Sequence, residues 1–341
     1  MSATPLAPLD QPLAIGDKSL TNRFLLSPMV GVTHVALRRL LHDFGGFGLH
    51  WTEMCSASAV LQEDPRISPV FRFHRDELAT LVCQIMGSEP ETMAAAARRI
   101  QDEGFFGVDI NMGCCVAAVR QQGAGAALLR DISRAAAIVD AVRQAVDIPL
   151  FVKLRSGWTD QGPVVVHAAR ACAKAGADAL IVHPRLAPDR RTRPPQWRDI
   201  RAVCEAVDLP VFGNGNVFTA DDATAMLRQT GCQGIALGRM AAARPWIAAE
   251  WLGHFHPAPE TYPKVAQRMV ELLWTSFPEG QALRLYRKFM NYFAANFAFG
   301  HRLRSDLTRS ATPEDLYKEI AHHLTPLPQL TLRPNSLLFA A

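Results

Sequence analysis

Eight short runs of apolar and β-branched residues recur along the first two thirds of the chain, and segments of helical period separate most of them. The runs cover residues 23–27, 49–53, 80–85, 107–111, 149–155, 178–183, 209–213 and 233–238. The helical segments cover 34–44, 89–103, 132–145, 163–175, 197–207 and 219–229. Pro90 stands where a first helical residue would, and Gly104, Gly176 and Gly231 stand just past helix ends. Strands that alternate with helices imply a parallel sheet with crossover helices. Eight such units over about 230 residues predict an α/β fold, the (β/α)8 or TIM barrel. An open doubly wound sheet would carry G-x-G-x-x-G after its first strand. The first run ends instead in Ser27-Pro28-Met29, which favours the barrel.

The chain has 341 residues, more than one barrel needs. After Trp251 the strand signals stop. Pro257, Pro259 and Pro263 mark a linker, and helical periods follow over 264–274, 280–299 and 313–324. The expected organisation is a barrel over residues 1–252 and a small all-helical domain over 253–341, with an irregular tail from Thr325. Apolar residues at 49% and charged residues at 20% suit a globular protein with a full core. No run of about 18 apolar residues exists, and residues 1–11 lack the basic and apolar regions of a signal peptide, so neither a membrane span nor secretion is expected. The seven cysteines are odd in number and show no C-x-x-C spacing. They read as reduced thiols of a cytoplasmic protein with no metal site.

The net charge of +4 is unevenly spread. Residues 281–309 carry Arg284, Arg287, Lys288, Arg302, Arg304 and Arg309 against Asp306 alone. Residues 185–201 carry six arginines against Asp189 and Asp199. Such concentration suggests a polyanionic partner, although on charge alone a solvated, salt-bridged face is the simpler reading.

Active sites of (β/α)8 barrels lie at the C-terminal ends of the strands. The polar residues expected there are Glu53, Gln84, Asn111, Cys114, Lys153, Arg155, His183, Asn214, Asn216 and Arg239. Any of them alone could be structural; their convergence on one face points to a site. Gly213-Asn214-Gly215-Asn216 and Gly238-Arg239 flank the position where such barrels bind phosphate, so a phosphorylated ligand is expected. Lys153 could form a Schiff base or hold a cation against an anionic ring, and residue chemistry leaves both open.

Asp109-Ile110-Asn111-Met112-Gly113-Cys114, followed by Gly123-Ala124-Gly125-Ala126-Ala127-Leu128-Leu129-Arg130-Asp131, resembles the signature of the tRNA-dihydrouridine synthases. So do Ser27-Pro28-Met29-Val30-Gly31-Val32-Thr33, Thr52-Glu53-Met54, Gln84-Ile85-Met86-Gly87, Val152-Lys153-Leu154-Arg155-Ser156-Gly157-Trp158, Asn214-Gly215 and Leu237-Gly238-Arg239. The motifs run in family order from about Leu20 to Trp246. Arg287-Lys288 with Tyr292 and Phe293 extends the resemblance into the helical part.

The resemblance implies an oxidoreductase that binds FMN tightly, reduces it with NADPH, and reduces the C5–C6 bond of uridine in RNA, tRNA first. Hydride would pass from flavin N5 to uracil C6, and Cys114 would give a proton to C5. An ordinary thiol, with a pKa of about 8.5, holds that proton at neutral pH. Carried over by motif, Pro28, Met29 and Val30 would lie against the flavin, Gln84 at its edge, Lys153 near N1 and O2, and His183 beside flavin and substrate. Asn214, Gly215, Asn216, Gly238 and Arg239 would hold the phosphate. Asn111 and Arg155 would contact the uracil. The two basic stretches would supply the contacts to RNA phosphates, through Arg191 and through Arg284, Arg287 and Lys288, which share one face of a helix. Phe289 and Phe293 are assigned to packing.

Three departures fall mainly on the substrate side. Cys115 replaces the usual proline after the acid. His183-Pro184-Arg185-Leu186 replaces His-Gly-Arg-Thr, with Arg190-Arg191 near the position of a base-clamping tyrosine. Asn216 replaces an aspartate. The alternatives are the same reaction on ribosomal RNA, a flavin barrel acting on a small molecule, and a non-catalytic RNA-binding protein that kept the fold. A monomer is expected.

Overall fold

The computed structural model describes residues 6–159, 164–189, 193–335 and 338–340. Eight parallel strands form one sheet: β1 Phe24–Leu26, β2 His50–Ser56, β3 Leu81–Met86, β4 Gly107–Met112, β5 Leu150–Gly157, β6 Ala179–Leu186, β7 Val211–Asn214 and β8 Gly234–Leu237. Each pairs with its sequence neighbour from β2 to β8, and β8 pairs with β1 in the register Ile235 to Phe24. A parallel bridge from Leu25 to Leu49 closes the ring between β1 and β2. The fold is the (β/α)8 barrel, and every strand lies within three residues of its expected start and end.

The crossover helices are α1 Val35–Phe44, α2 Pro90–Glu103, α3 Ile132–Ala145, α4 Val164–Lys174, α5 Trp197–Cys204 and α6 Ala220–Thr230. Local chemistry sets their ends. Pro90 opens α2, and Gly104, in a left-handed conformation, closes it. Thr219 and Asp222 form a reciprocal capping box on α6, and Gly231 closes that helix with φ of 72°. After β8 come the short helices α7 Arg239–Ala243 and α8 Ile247–Trp251.

Strand alternation divides the core in two. One set of side chains faces the helices and continues without a break into the C-terminal helices. The other fills the barrel: Leu25, Leu49, Trp51, Val82, Phe151, Ala179, Ile181, Phe212 and Ala236. Trp51 and Phe151 meet edge to face with ring centroids 5.2 Å apart. A hairpin that sequence periodicity did not mark, Leu13–Ile15 with Lys18–Leu20, adds Ile15 and Leu20 to this interior cluster. With Lys18 bonded to the Phe106 carbonyl, it stoppers the barrel at the end opposite the site.

The C-terminal helices are α9 Thr261–Ser276, α10 Glu279–Phe293, α11 Gly300–Leu307 and α12 Pro313–Leu324. α9 packs on α1, with Met269, Val270 and Leu273 of the one and Leu37, Leu40 and Leu41 of the other buried in the same core, so the helical layer is built onto the barrel's first helix. The helix expected over 280–299 stops at Phe293, a 3-10 turn follows over Ala294–Asn296, and the next helix begins at Gly300. Buried Asn296 donates to the Ala243 and Phe293 carbonyls and accepts from Arg244, and these bonds end the helix at Phe293. The tail, expected to run irregularly over the surface, returns to the barrel: Thr331 bonds Asn296, Arg333 pairs with Asp222, and Phe339 is buried.

Candidate active site

At the C-terminal ends of the strands lies a cavity of about 390 Å³, within the ~300–1,000 Å³ usual for ligand pockets. A second of about 160 Å³ adjoins it, and the two share Pro28, Val30, Lys153 and His183. The larger is lined at one end by Asn214, Gly215, Asn216, Gly238 and Arg239. The smaller is lined by Met54, Gln84, Asn111, Cys114 and Arg155. The strand-end residues expected from sequence to line a site therefore meet in one continuous space, except Glu53, which is buried behind it.

The larger cavity has a cationic end. Asn216, the only non-glycine residue of positive φ among the described residues (55°), turns its Oδ1 to accept from Arg239 Nη2 at 3.1 Å and Arg185 Nη2 at 2.9 Å. Arg239 lies over the Phe218 and Phe339 rings, 5.5 and 5.4 Å from their centroids. Arg185 is 2% exposed although it belongs to the arginine-rich stretch read from sequence as surface. Its Nη1 stands 2.9 Å from His183 Nε2. A guanidinium can only donate, so His183 accepts at Nε2 and carries its proton on Nδ1. Burial, and then the charges of Lys153, Arg155, Arg185 and Arg239, holds His183 well below the usual histidine range, so the ring is neutral.

Lys153 stands between the two cavities and donates to Asn214 Oδ1 at 3.3 Å. Burial brings it down to about 8, with Asp109 opposing and Arg155 reinforcing the shift. Below that pH it remains an ammonium. Asp109, fully buried beneath it, is pushed by burial up to about 6 against the hydrogen bonds of Gln84 and Trp51.

The smaller cavity holds the thiol. Asn111 Oδ1 accepts from the backbone N–H groups of Gly113 and Cys114 at 3.0 and 2.8 Å. The Cys114 carbonyl accepts from Ala126 N at 2.8 Å. Gly125 fits beneath this turn with φ of 62°, and a Cβ there would lie 2.6 Å from the Cys114 oxygen. Burial pushes the Cys114 thiol up, against the Val116 amide and Arg155, which pull it down. Cys115 is also half-buried but lines neither cavity. Arg155 donates to the Leu186 carbonyl at 2.7 Å.

The turn from Pro28 to Thr33 forms the remaining wall. Thr33 Oγ1 binds the Met29 backbone and the Thr52 carbonyl. The amides of Gly31 and Val32 point at the Glu53 carboxylate, which burial raises to about 6. Lys288 of α10 donates to the Val30 carbonyl at 2.7 Å.

The family model described as dihydrouridine synthase (Dus) matches residues 25–326. The chain belongs to the dihydrouridine synthase family. It is similar to tRNA-dihydrouridine synthase B of Pseudomonas aeruginosa, 34% identical over 304 residues that cover 86% of this chain and 90% of the relative. It is also similar to the probable tRNA-dihydrouridine synthase 1 of Synechocystis, 32% identical over 314 residues covering 87% and 85%. Among solved structures, a variant of NCR from Zymomonas mobilis shares the fold with a TM-score of 0.52 at 18% identity, covering 75% of this chain and 97% of that one. Morphinone reductase in complex with tetrahydroNAD does so with a TM-score of 0.52 at 15% identity, covering 74% and 92%.

Family membership does not make the expected residues equivalent in place. Arg284 and Arg287 are exposed on α10, whereas Lys288 is half-buried and lines the larger cavity with Tyr292. Phe289 and Phe293 are buried and stacked 5.6 Å apart. Arg191 lies outside the described residues. Gln84 and Asn111 already bond each other, Gln84 Oε1 accepting from Asn111 Nδ2 at 2.8 Å. Sequence reading missed Arg185, Asp109, Phe218 and Phe339. Asp109 stood in the quoted motif, and its place two residues before Asn111 on a strand puts both on the inward face.

Proposed function

We propose that this chain reduces the C5–C6 bond of uridine in RNA, tRNA first, to 5,6-dihydrouridine, with FMN in the larger cavity and NADPH as reductant. The observation that carries the reading is the joined cavity. A cationic end, a buried ammonium and a protonated thiol line one space in the order a phosphorylated flat ring and a second ring would need. The donor set fits FMN. Arg239, with Asn214, Gly215, Asn216 and Gly238, would hold the phosphate, and Arg185 reinforces the positive end. Pro28, Met29 and Val30 would lie along the ring, with Gln84 and His183 at its borders. Bound FMN supplies hydride to C6 of the uracil.

The protein's own groups do the rest. Lys153 keeps a positive charge where negative charge has to be accommodated. Cys114 holds a proton in the smaller cavity and gives it to C5. Asn111 and Arg155 border the space left for the base. A uridine within folded RNA must leave its stack to reach this depth, so phosphate contacts around the mouth are required. We assign them to residues 253–341, through Arg284 and Arg287, and to Arg191. Lys288, fixed on the Val30 carbonyl, sits where the RNA-binding layer meets the cavity wall. The reading places the protein in the cytoplasm as a monomer.

The test is spectroscopic. Purified protein should carry one flavin with the mobility of FMN. NADPH should bleach it without oxygen, and unmodified tRNA should restore the colour. A colourless protein, or a bleached flavin that tRNA leaves bleached while a small unsaturated carbonyl compound restores it, would reject the reading.

A further inference from the structure

A line of hydrogen bonds runs from the barrel interior to the candidate acid. Trp51 Nε1 and Gln84 Nε2 both donate to Asp109 Oδ2, at 2.9 and 2.7 Å. Asn111 Nδ2 donates to Gln84 Oε1, and Asn111 Oδ1 accepts from the Gly113 and Cys114 amides. Asp109, Gln84 and Asn111 are 0%, 1% and 7% exposed, so water does not substitute for any of these bonds.

A side-chain amide is a donor at one end and an acceptor at the other, so two in series could point either way. Here both ends of the series impose one direction. A carboxylate only accepts, so Gln84 turns its NH2 to Asp109 and its oxygen to Asn111. Backbone N–H groups only donate, so Asn111 turns its oxygen to the Cys114 turn and its NH2 to Gln84. Reversal would set oxygen against oxygen at Asp109 and NH2 against N–H at Cys114, each a buried pair left unsatisfied. Both side-chain bonds go to Oδ2, with the Lys153 amide also facing the carboxylate, so a single oxygen of this side chain holds the series.

We propose that Asp109 is a positioning residue for Cys114: its Oδ2 fixes the direction of the Gln84–Asn111 series, and that series holds the Cys114 turn in the cavity. The same direction leaves Asn111 one N–H to offer a ligand, and so an acceptor to recognise. The proposal rests on Cys114 being the acid.

Three variants test it in the full-length holoprotein: Asp109→Leu, Gln84→Leu and Asp109→Asn. Asparagine can place its oxygen where Oδ2 sits and still accept from Trp51 and Gln84. Hydrogen exchange over residues 111–116 and iodoacetamide labelling of Cys114, with Cys114→Ala as background, read the turn directly. Both leucine variants should speed exchange there by about tenfold, the loss of one buried hydrogen bond. They should lower kcat for dihydrouridine formation by 10- to 100-fold, on the order expected for a misplaced reacting group, with little change in KM for RNA. Asp109→Asn should stay near the parent in exchange, labelling and kcat. Unchanged protection in the leucine variants would overturn the proposal. So would an asparagine variant as loosened as the leucine one, which would make charge rather than direction the cause. Should Asp109→Leu not fold, Gln84→Leu and Asp109→Asn decide. Exchange and labelling need no activity, so a parent protein that makes no dihydrouridine would reject the functional reading while the positioning is still judged.

Discussion

A thiol that serves as an acid must still hold its proton at the working pH. Burial raises the Cys114 thiol, so if Cys114 is the acid, dihydrouridine formation should persist above the ordinary thiol range and fall only once the pH passes the raised value. Cys114→Ala should keep its flavin and its oxidation of NADPH while losing dihydrouridine formation by ~10²-fold or more, the usual weight of a general acid. Cys115→Ala should be far milder, since Cys115 lines neither cavity; mass analysis of RNA digested after reaction checks both. Lys153 titrates in the opposite sense. Its pKa is lowered to about 8, so the ammonium is present below that pH and is lost as pH rises through it. Reduction by NADPH should therefore weaken above pH about 8 in the parent protein, and Lys153→Arg, charged throughout, should flatten that limb of a stopped-flow pH profile.

At the scale of elements, two packing features support the site from outside it. Arg239 is seated on the Phe218 and Phe339 rings, so the C-terminal tail backs the cationic end. Arg239→Ala should cost on the order of 1.5–3 kcal/mol of FMN affinity, the range of a charge-assisted hydrogen bond, measurable by titrating stripped protein. The hairpin that stoppers the barrel is the second feature. Ile15 is 1% exposed within the interior cluster, and Ile15→Ala should lower unfolding free energy by about 2–5 kcal/mol in a denaturant titration. Neither feature was legible in the sequence, for physical reasons. Each hairpin strand is three residues long, too short for alternation to stand out. Phe339 touches Arg239 across about a hundred residues of chain. The barrel strands were legible because eight apolar runs between turn residues admit few other arrangements. Arg185 was misread because it opens a run of arginines, and charge density cannot distinguish a buried guanidinium from the exposed Arg193, Arg198 and Arg201 around it.

Across the whole molecule, one continuous core joins the barrel's outer layer to the C-terminal helices, so the cavity and the exposed face of α10 keep a fixed relation. Arg284 and Arg287 lie on that face, and Lys288 reaches from the same helix to Val30 at the cavity wall. If RNA lies along α10, Arg284→Ala with Arg287→Ala should weaken binding whatever the sequence and reduce the salt slope by about 0.7–0.9 for each charge removed. Flavin content should not change. Lys288→Ala should differ, altering flavin binding through the Val30 turn as well as RNA affinity. These effects presuppose the reaction itself. Its most direct test is to incubate purified protein with NADPH and unmodified tRNA, then analyse the digested nucleosides by mass spectrometry, with Cys114→Ala in parallel. If the chain carries out this reaction, dihydrouridine should form at a defined position with the parent protein and almost none with the variant. Equal yields from both, or no dihydrouridine from a parent protein whose flavin NADPH reduces, would contradict it.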